Sequence, residues 1–249
     1  MAAHAIPSGV YAGEAVAEIR KAARLPIFFL PSIFTPPAFY ALFALALGRG
    51  DAQMATYSLA TFGVFAAIGP ALFGFGAGVA QEREAGQLAL KRLAPMPAGA
   101  HLFGKLAACL LFTACALALL YPLGLLASVR LEPWRWAMLF VVQLLSVVPF
   151  ALIGLGLGYR AGSKGAVALA NMLFLGFAVL GGLWVPIDAF PAWMKAAAWT
   201  MPSYHMGELA LHAAGIARKG AVMVHVALIA AITLAAGAFA WTGLRKPAS

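Results

Sequence analysis

The run HMGELALH holds three side chains of metal-ligand type, His205, Glu208 and His212. Their spacing of i, i+3 and i+7 sets them along one helical face. Zinc requires each imidazole nitrogen within about 2.1 Å of a common point, whereas seven helical residues span about 10.5 Å. The three therefore read as the polar face of an interfacial helix, and no metal site is expected. The sequence has no G-x-x-x-x-G-K-[ST] loop, so it is not expected to hydrolyse ATP by that route. The G-x-G pattern in GPALFGFGAG lacks the preceding strand and the third glycine of a dinucleotide loop. Cys109 and Cys115, six apart in one apolar run, fall on different helix faces and cannot bridge. No catalytic residue is expected.

The densest charge lies elsewhere, in QEREAGQLALKRLAPMPAG, residues 81–99, with Glu82, Arg83, Glu84, Lys91 and Arg92. Acids come early and bases late, which complements the dipole of a short helix. Leu88, Leu90 and Leu93 would face protein or lipid, and Pro95 and Pro97 end the helix. A solvated loop anchoring two spans is the plainer alternative.

The elements that position these residues are apolar. The 249 residues are 63% hydrophobic and 10% charged, with mean hydropathy +0.91. A soluble domain has about 45–50% apolar and about 25% charged residues, so the expectation is an all-α polytopic membrane protein. Six runs are long enough to span a bilayer: about 25–47, 56–80, 102–127, 137–158, 166–184 and 220–243. Pro26, Pro31, Pro36 and Pro37 predict a kinked or broken first span. Gly74/Gly78 and Gly154/Gly158 are G-x-x-x-G pairs that let helix backbones approach. Residues 1–24 contain no signal-peptide pattern and predict a helix lying on the membrane, capped by Ser8, with Tyr11, Ala15 and Ile19 on one face and Glu14, Glu18, Arg20, Lys21 and Arg24 making it polar elsewhere.

The net charge of +9 is read as topology signal and lipid contact rather than nucleic-acid binding, because no basic stripe alternates with exposed aromatics. Six spans with the N-terminus inside put eleven of the 17 Lys and Arg on the inner side, which favours cytoplasmic termini. The middles of the spans hold no Asp, Glu, Lys or Arg; Gln143 and Asn171 are their most polar side chains, and His225, near the outer end of the last span, reads as an interface residue. A proton-driven carrier or an intramembrane enzyme would need ionisable groups there.

In this order and spacing, Glu82-Arg83-Glu84-Ala85-Gly86, Ala94-Pro95-Met96-Pro97, Gly104-Lys105, Gly181-Gly182-Leu183-Trp184-Val185-Pro186, Pro191-Ala192-Trp193 and Pro202 resemble the ABC-2 type permeases, membrane subunits of ATP-driven exporters. The resemblance covers roughly 56–213. Together with the interfacial helix read over 1–24, it implies a six-span permease domain over 25–249. Within that domain it implies a coupling segment at 81–100 and an outer re-entrant segment of short helices at 185–216. It implies that Glu82, Arg83, Glu84 and Gly86, with Lys91 and Arg92, dock on a separate ATPase. It also implies that Pro186, Pro191, Trp193, Trp199 and Pro202 belong to an outer gate. The chain itself would bind no cofactor. ATP and Mg would sit on two copies of the partner ATPase, and the permease would pair, as a homodimer or with a related chain, in the cytoplasmic membrane. The substrate class that fits uncharged spans is an amphiphile, drug or lipid-linked molecule. An ion-coupled carrier and a non-transporting scaffold subunit are the alternatives.

Overall fold

The computed structural model describes residues 8–24, 26–48, 50–93, 96–216 and 221–244, with backbone alone at 8, 26–29, 92 and 98. The described residues form helices and no strands. In chain order these are α1 (Ser8–Ala23), α2 (Pro26–Tyr40), α3 (Ala52–Ala71), α4 (Gly78–Glu84), α5 (Gln87–Leu93), α6 (Ala98–Leu126), α7 (Pro133–Leu145), α8 (Val147–Gly158), α9 (Ser163–Leu180), α10 (Ala192–Ala198), α11 (Pro202–Ala213) and α12 (Val222–Leu244). Five helical stretches are long and apolar enough to cross a membrane: Ala52–Glu84, Gly99–Leu126, Pro133–Gly158, Ser163–Leu180 and Val222–Leu244. The first expected span supplies a shorter apolar stretch, Leu30–Ala46.

Proline shapes the first two apolar stretches. Pro31, Pro36 and Pro37 lie inside α2, and a π-helical turn over Ala41–Ala46 follows, closed by Leu47 N–H on Leu42 O at 2.9 Å. Pro70 lies near the end of α3, and a second π turn, Leu72–Ala77, joins α3 to α4 in one continuous rod. Proline leaves a carbonyl without its N–H partner, and a wider turn lets the ladder resume. Cys109 Sγ of the neighbouring α6 donates to the Pro70 carbonyl at 3.1 Å.

α3 is the centre of the bundle. Every residue from Ser58 to Ala71 is buried, and α2, α6, α7, α8 and α11 pack around it. Its many Ala and Gly residues let those neighbours approach closely. At its middle Gln143 of α7 is fully buried. Its Nε2 donates to the Leu59 and Ala60 carbonyls at 3.0 and 3.3 Å, and its Oε1 accepts from Tyr121 Oη of α6 at 2.9 Å. One amide thus ties three helices where lipid offers polar groups no partner.

The glycine contact differs in detail from the expected pairs. α8 lies directly on the 72–77 turn through Gly154, Gly158 and Gly76. A Cβ on Gly158 would stand 2.7 Å from the Phe75 and Gly76 carbonyls, and one on Gly154 would stand 3.1 Å from Gly76 N. Gly74 faces Cys109 of α6 instead, and Gly78 lies near Lys105. The π turn rotates the chain, so the close approach falls on Gly76 rather than on the i, i+4 pair.

Candidate functional site

At one end of the bundle α1 lies across the start of α6. Gly104 makes this possible: a Cβ there would stand 2.9 Å from the Glu14 backbone carbonyl. Tyr11 meets Phe103 edge-on at 5.6 Å, and Ala22 packs with Ala108 and Phe112. The face that α1 turns to the protein is not only Tyr11, Ala15 and Ile19. It also carries Glu14 and Glu18, while Arg20 and Arg24 stay exposed. This corrects the expectation that the charges of α1 form its outward polar side. The expected Ser8 cap lies outside the described side chains.

Glu14, Glu18 and Lys21 of α1, Glu82 of α4, Lys91 of α5 and His101 and Lys105 of α6 meet in one layer, buried apart from Glu14, Lys91 and Lys21, whose side chains are 12%, 31% and 42% exposed. Glu82, 3% exposed, accepts from Lys105 Nζ at 2.8 Å and from Lys21 Nζ through one oxygen, and meets His101 Nε2 at 3.1 Å through the other. Glu18 accepts from Lys105 at 3.2 Å and from Lys91 at 3.1 Å. Lys91 also pairs with Glu14, whose Oε1 lies 3.1 Å from His101 Nδ1. A carboxylate can only accept, so His101 Nε2 carries a proton and donates to Glu82. Burial alone would raise the Glu18 carboxyl, yet the hydrogen bond from His101 and the charges of Lys105 and Lys91 outweigh it and hold it far below the usual carboxylate range. For Lys91 burial acts against the ammonium, and the two carboxylates of α1 more than compensate, which raises it.

Glu14, Glu18 and His101 bring ligand-type atoms within 4.8 Å of one another. Lys91 Nζ lies among them, 3.1 Å from Glu18 Oε1 and 2.8 Å from His101 Nδ1, so an ammonium stands where a cation would.

The other side of the 81–99 segment is held by the turn between α8 and α9. Arg83 donates to the Tyr159 carbonyl, and to that of Ala161 at 2.8 Å. Glu84, exposed, accepts from Ser163 N–H at 2.8 Å. Gly86 separates α4 from α5 with φ +70°, a left-handed conformation that favours glycine. Of the residues singled out in this segment, Glu82, Arg83 and Lys91 thus turn toward the protein, Glu84 lies at the surface, and the side chain of Arg92 is outside the described set, as is Pro95. Among the described side chains of α5, Leu90 and Leu93 are 68% and 84% exposed and Gln87 and Ala89 are also exposed, while Leu88 packs on the core.

Sequence reasoning missed Glu14, Glu18, His101 and Lys105 as members of this layer. Glu14/Glu18 and His101/Lys105 are both i, i+4 like-charge pairs, each unfavourable alone. The two pairs are complementary, and that spacing is the signal that would have found them.

At the opposite end the expected outer segment contains a 3-10 turn, Ile187–Ala189, then α10 and α11. Pro191 stands at the cap of α10 and Pro202 opens α11, each where a missing N–H costs nothing. Pro186 precedes the 3-10 turn. Trp199 stacks on His225 at 5.7 Å and meets Tyr204 at 5.6 Å, whereas Trp193 is 67% exposed. His205 and His225 face each other through their Nδ1 atoms at 3.0 Å, and His205 Nε2 lies 3.0 Å from the Trp199 carbonyl. His225, near the start of α12, is buried against α11. His205 is buried and His212 exposed, so the two do not converge.

The family model described as ABC-2 type transporter matches residues 15–214, from within α1 through α11, and takes in the charged layer apart from Glu14. The chain belongs to the ABC-2 type transporter family. This ABC-2 chain is also 26% identical over 198 residues, covering 78% of it and 81% of the relative, to "Putative transport permease YvfS" of Bacillus subtilis (strain 168). Membership and the apolar helices make it a multi-pass membrane protein and a transport permease subunit, of a kind that typically lacks an ATPase site of its own.

Proposed function

We propose that this permease is the membrane half of an ATP-driven exporter in the cytoplasmic membrane, with six spans counting Leu30–Ala46, both termini in the cytoplasm, and α1 lying at the membrane surface. Two copies, or one copy and a related chain, pair with two separate ATPase subunits, which hold the ATP and Mg. The α4–α5 segment is the docking element. The observation that supports this is its construction. Glu82 and Lys91 tie it to α1 and α6, Arg83 and Glu84 tie it to the α8–α9 turn, and Leu90 and Leu93 are left outward. Exposed leucines on a firmly held helix suit the centre of a protein contact. Gly86 sets the angle between the two helices. Lys91 and Arg92 act from α5, the former by holding it to α1.

At the other end Pro186, Pro191, Trp193, Trp199 and Pro202 frame an outer gate. Uncharged span interiors favour an amphiphilic, drug-like or lipid-linked substrate.

The test is co-purification. The tagged chain is extracted mildly from its native membrane, as wild type and as Leu90→Asp/Leu93→Asp. A soluble ATPase in about 1:1 ratio with the wild type, lost from a variant with the same melting temperature, is the expected result. A wild-type chain that comes without any ATPase, or an ATPase retained by the variant, overturns the reading of α5.

A further inference from the structure

A cavity of about 280 Å³ lies between α1, the 72–84 stretch and α6, beside the charged layer. Clefts that take small ligands begin at roughly 300 Å³, so this one has room for a head group and the start of a chain. Its floor is apolar, with Phe73, Ala77 and Ala108. Its wall carries two charges of each sign, Glu18 and Glu82 against Lys21 and Lys105. Gln81 and Gln87, both exposed, stand at the rim.

The wall keeps hydrogen-bonding capacity of both kinds. A carboxylate has about four lone-pair sites, and an ammonium has three donors. Glu82 meets Lys21, Lys105 and His101, and Glu18 meets Lys91, Lys105 and, at 3.4 Å, His101. Each carboxylate therefore keeps a site. Lys105 directs donors to Glu18 and Glu82, and Lys21 directs donors to Glu82 and, at 3.4 Å, to Gln87. Each ammonium therefore keeps a donor. A head of one sign would gain from one pair of these side chains and be opposed by the other pair. A head that sets an ammonium beside an anionic group meets both. That ammonium must carry N–H groups, because a lone pair is satisfied only by a donor. The floor suits an aliphatic chain, since it offers water no polar partner.

We propose that this cavity binds a single-chain zwitterionic amphiphile of the ethanolamine phospholipid type. Its primary ammonium sits on Glu18 and Glu82, its phosphate on Lys21 and Lys105, and the start of its chain on the apolar floor. The site needs only this chain, so it holds whether or not an ATPase docks on α5.

The test uses the purified full chain in a neutral detergent and native mass spectrometry. Four probes of one chain length are titrated: lysophosphatidylethanolamine, lysophosphatidylcholine, lysophosphatidylglycerol and a monoacylglycerol. The choline probe keeps both charges but has no N–H, the glycerol phospholipid has only the anion, and the monoacylglycerol has neither charge. Expected is saturable 1:1 binding of the ethanolamine probe, roughly tenfold or more tighter than each of the other three. Lys21→Gln, at a side chain 42% exposed, is expected to weaken the ethanolamine probe roughly tenfold and leave the monoacylglycerol unchanged. Gly78 lines the cavity, and a Cβ there would stand at ordinary contact distance, 3.4 Å from the Phe73 carbonyl and 3.7 Å from Lys105 Nζ. Gly78→Leu is therefore expected to fill the cavity and remove binding of every probe without lowering the melting temperature. No saturable binding of the ethanolamine probe to the folded wild-type chain, another probe binding as tightly or more tightly, or its affinity unchanged in either folded variant overturns the proposal.

Discussion

Glu82 and Lys105 face each other at 2.8 Å with 3% and 6% of their side chains exposed, so two helices of an otherwise apolar bundle meet through full charges. Taking one charge away leaves the other buried without its counterpart, a change that typically costs about 3–5 kcal/mol. Lys105→Met and Glu82→Gln are therefore each expected to lower thermal stability strongly. The double variant is expected to lose clearly less than the sum of the two. A double-mutant cycle in detergent, read by unfolding, checks this; additive losses would mean that the pair is not coupled.

Gly158 lies against the Phe75 and Gly76 carbonyls, whereas Gly176 has nothing within 4 Å of the place a Cβ would occupy. Gly158→Ala is expected to destabilise by about 1–3 kcal/mol, as overpacking does. Gly176→Ala is expected to be neutral or slightly stabilising, since alanine is the better helix former. Equal melting temperatures for the two variants would show that α8 does not rest on the 72–77 turn.

Gly86 holds a left-handed backbone at φ +70° with open space around it. Gly86→Ala is expected to cost about 1–2 kcal/mol, the penalty of that region for an L-residue. Gly86→Asn, which tolerates it, is expected to cost less. Thermal melts of both variants provide the comparison, and an alanine variant as stable as the asparagine one would argue against the observed turn.

Five of the six expected spans were legible from apolar runs; in the first expected span the helix continues through Pro31, Pro36 and Pro37 and a π turn follows over Ala41–Ala46. What the sequence did not reveal was which helix lies inside. α3 and α12 both lack a polar face, yet α3 is enclosed by its neighbours and α12 is largely exposed. In lipid the inside and the outside of a bundle have the same polarity, so periodicity no longer marks the buried side. The charged stretch at 81–99 was equally visible, but its inward orientation was not. Glu82 meets His101 and Lys105, and Lys91 meets Glu14 and Glu18, partners remote in the chain or on another helix.

Burial depresses the basicity of His205; the Trp199 carbonyl and Glu208 oppose that, and neighbouring His225 adds to it. A histidine held neutral in the fold contributes stability that is complete above its unfolded pKa of about 6.5 and is lost as pH falls below that value. Proton uptake would also set two donors against each other where the Nδ1 atoms now meet. The α10–α11 region is expected to loosen on acidification from pH 7.5 to 5.5, seen as a change in Trp199 fluorescence. His205→Gln is expected to flatten that dependence; a profile identical to wild type would assign the change to another group.

The α4–α5 elbow is fastened on both flanks, to α1 by Lys91 and to the α8–α9 turn by Arg83. A load placed on Leu90 or Leu93 therefore has two outlets at once, one toward each flank of the bundle. The elbow is thus pinned to the frame at two points, like a beam with two supports.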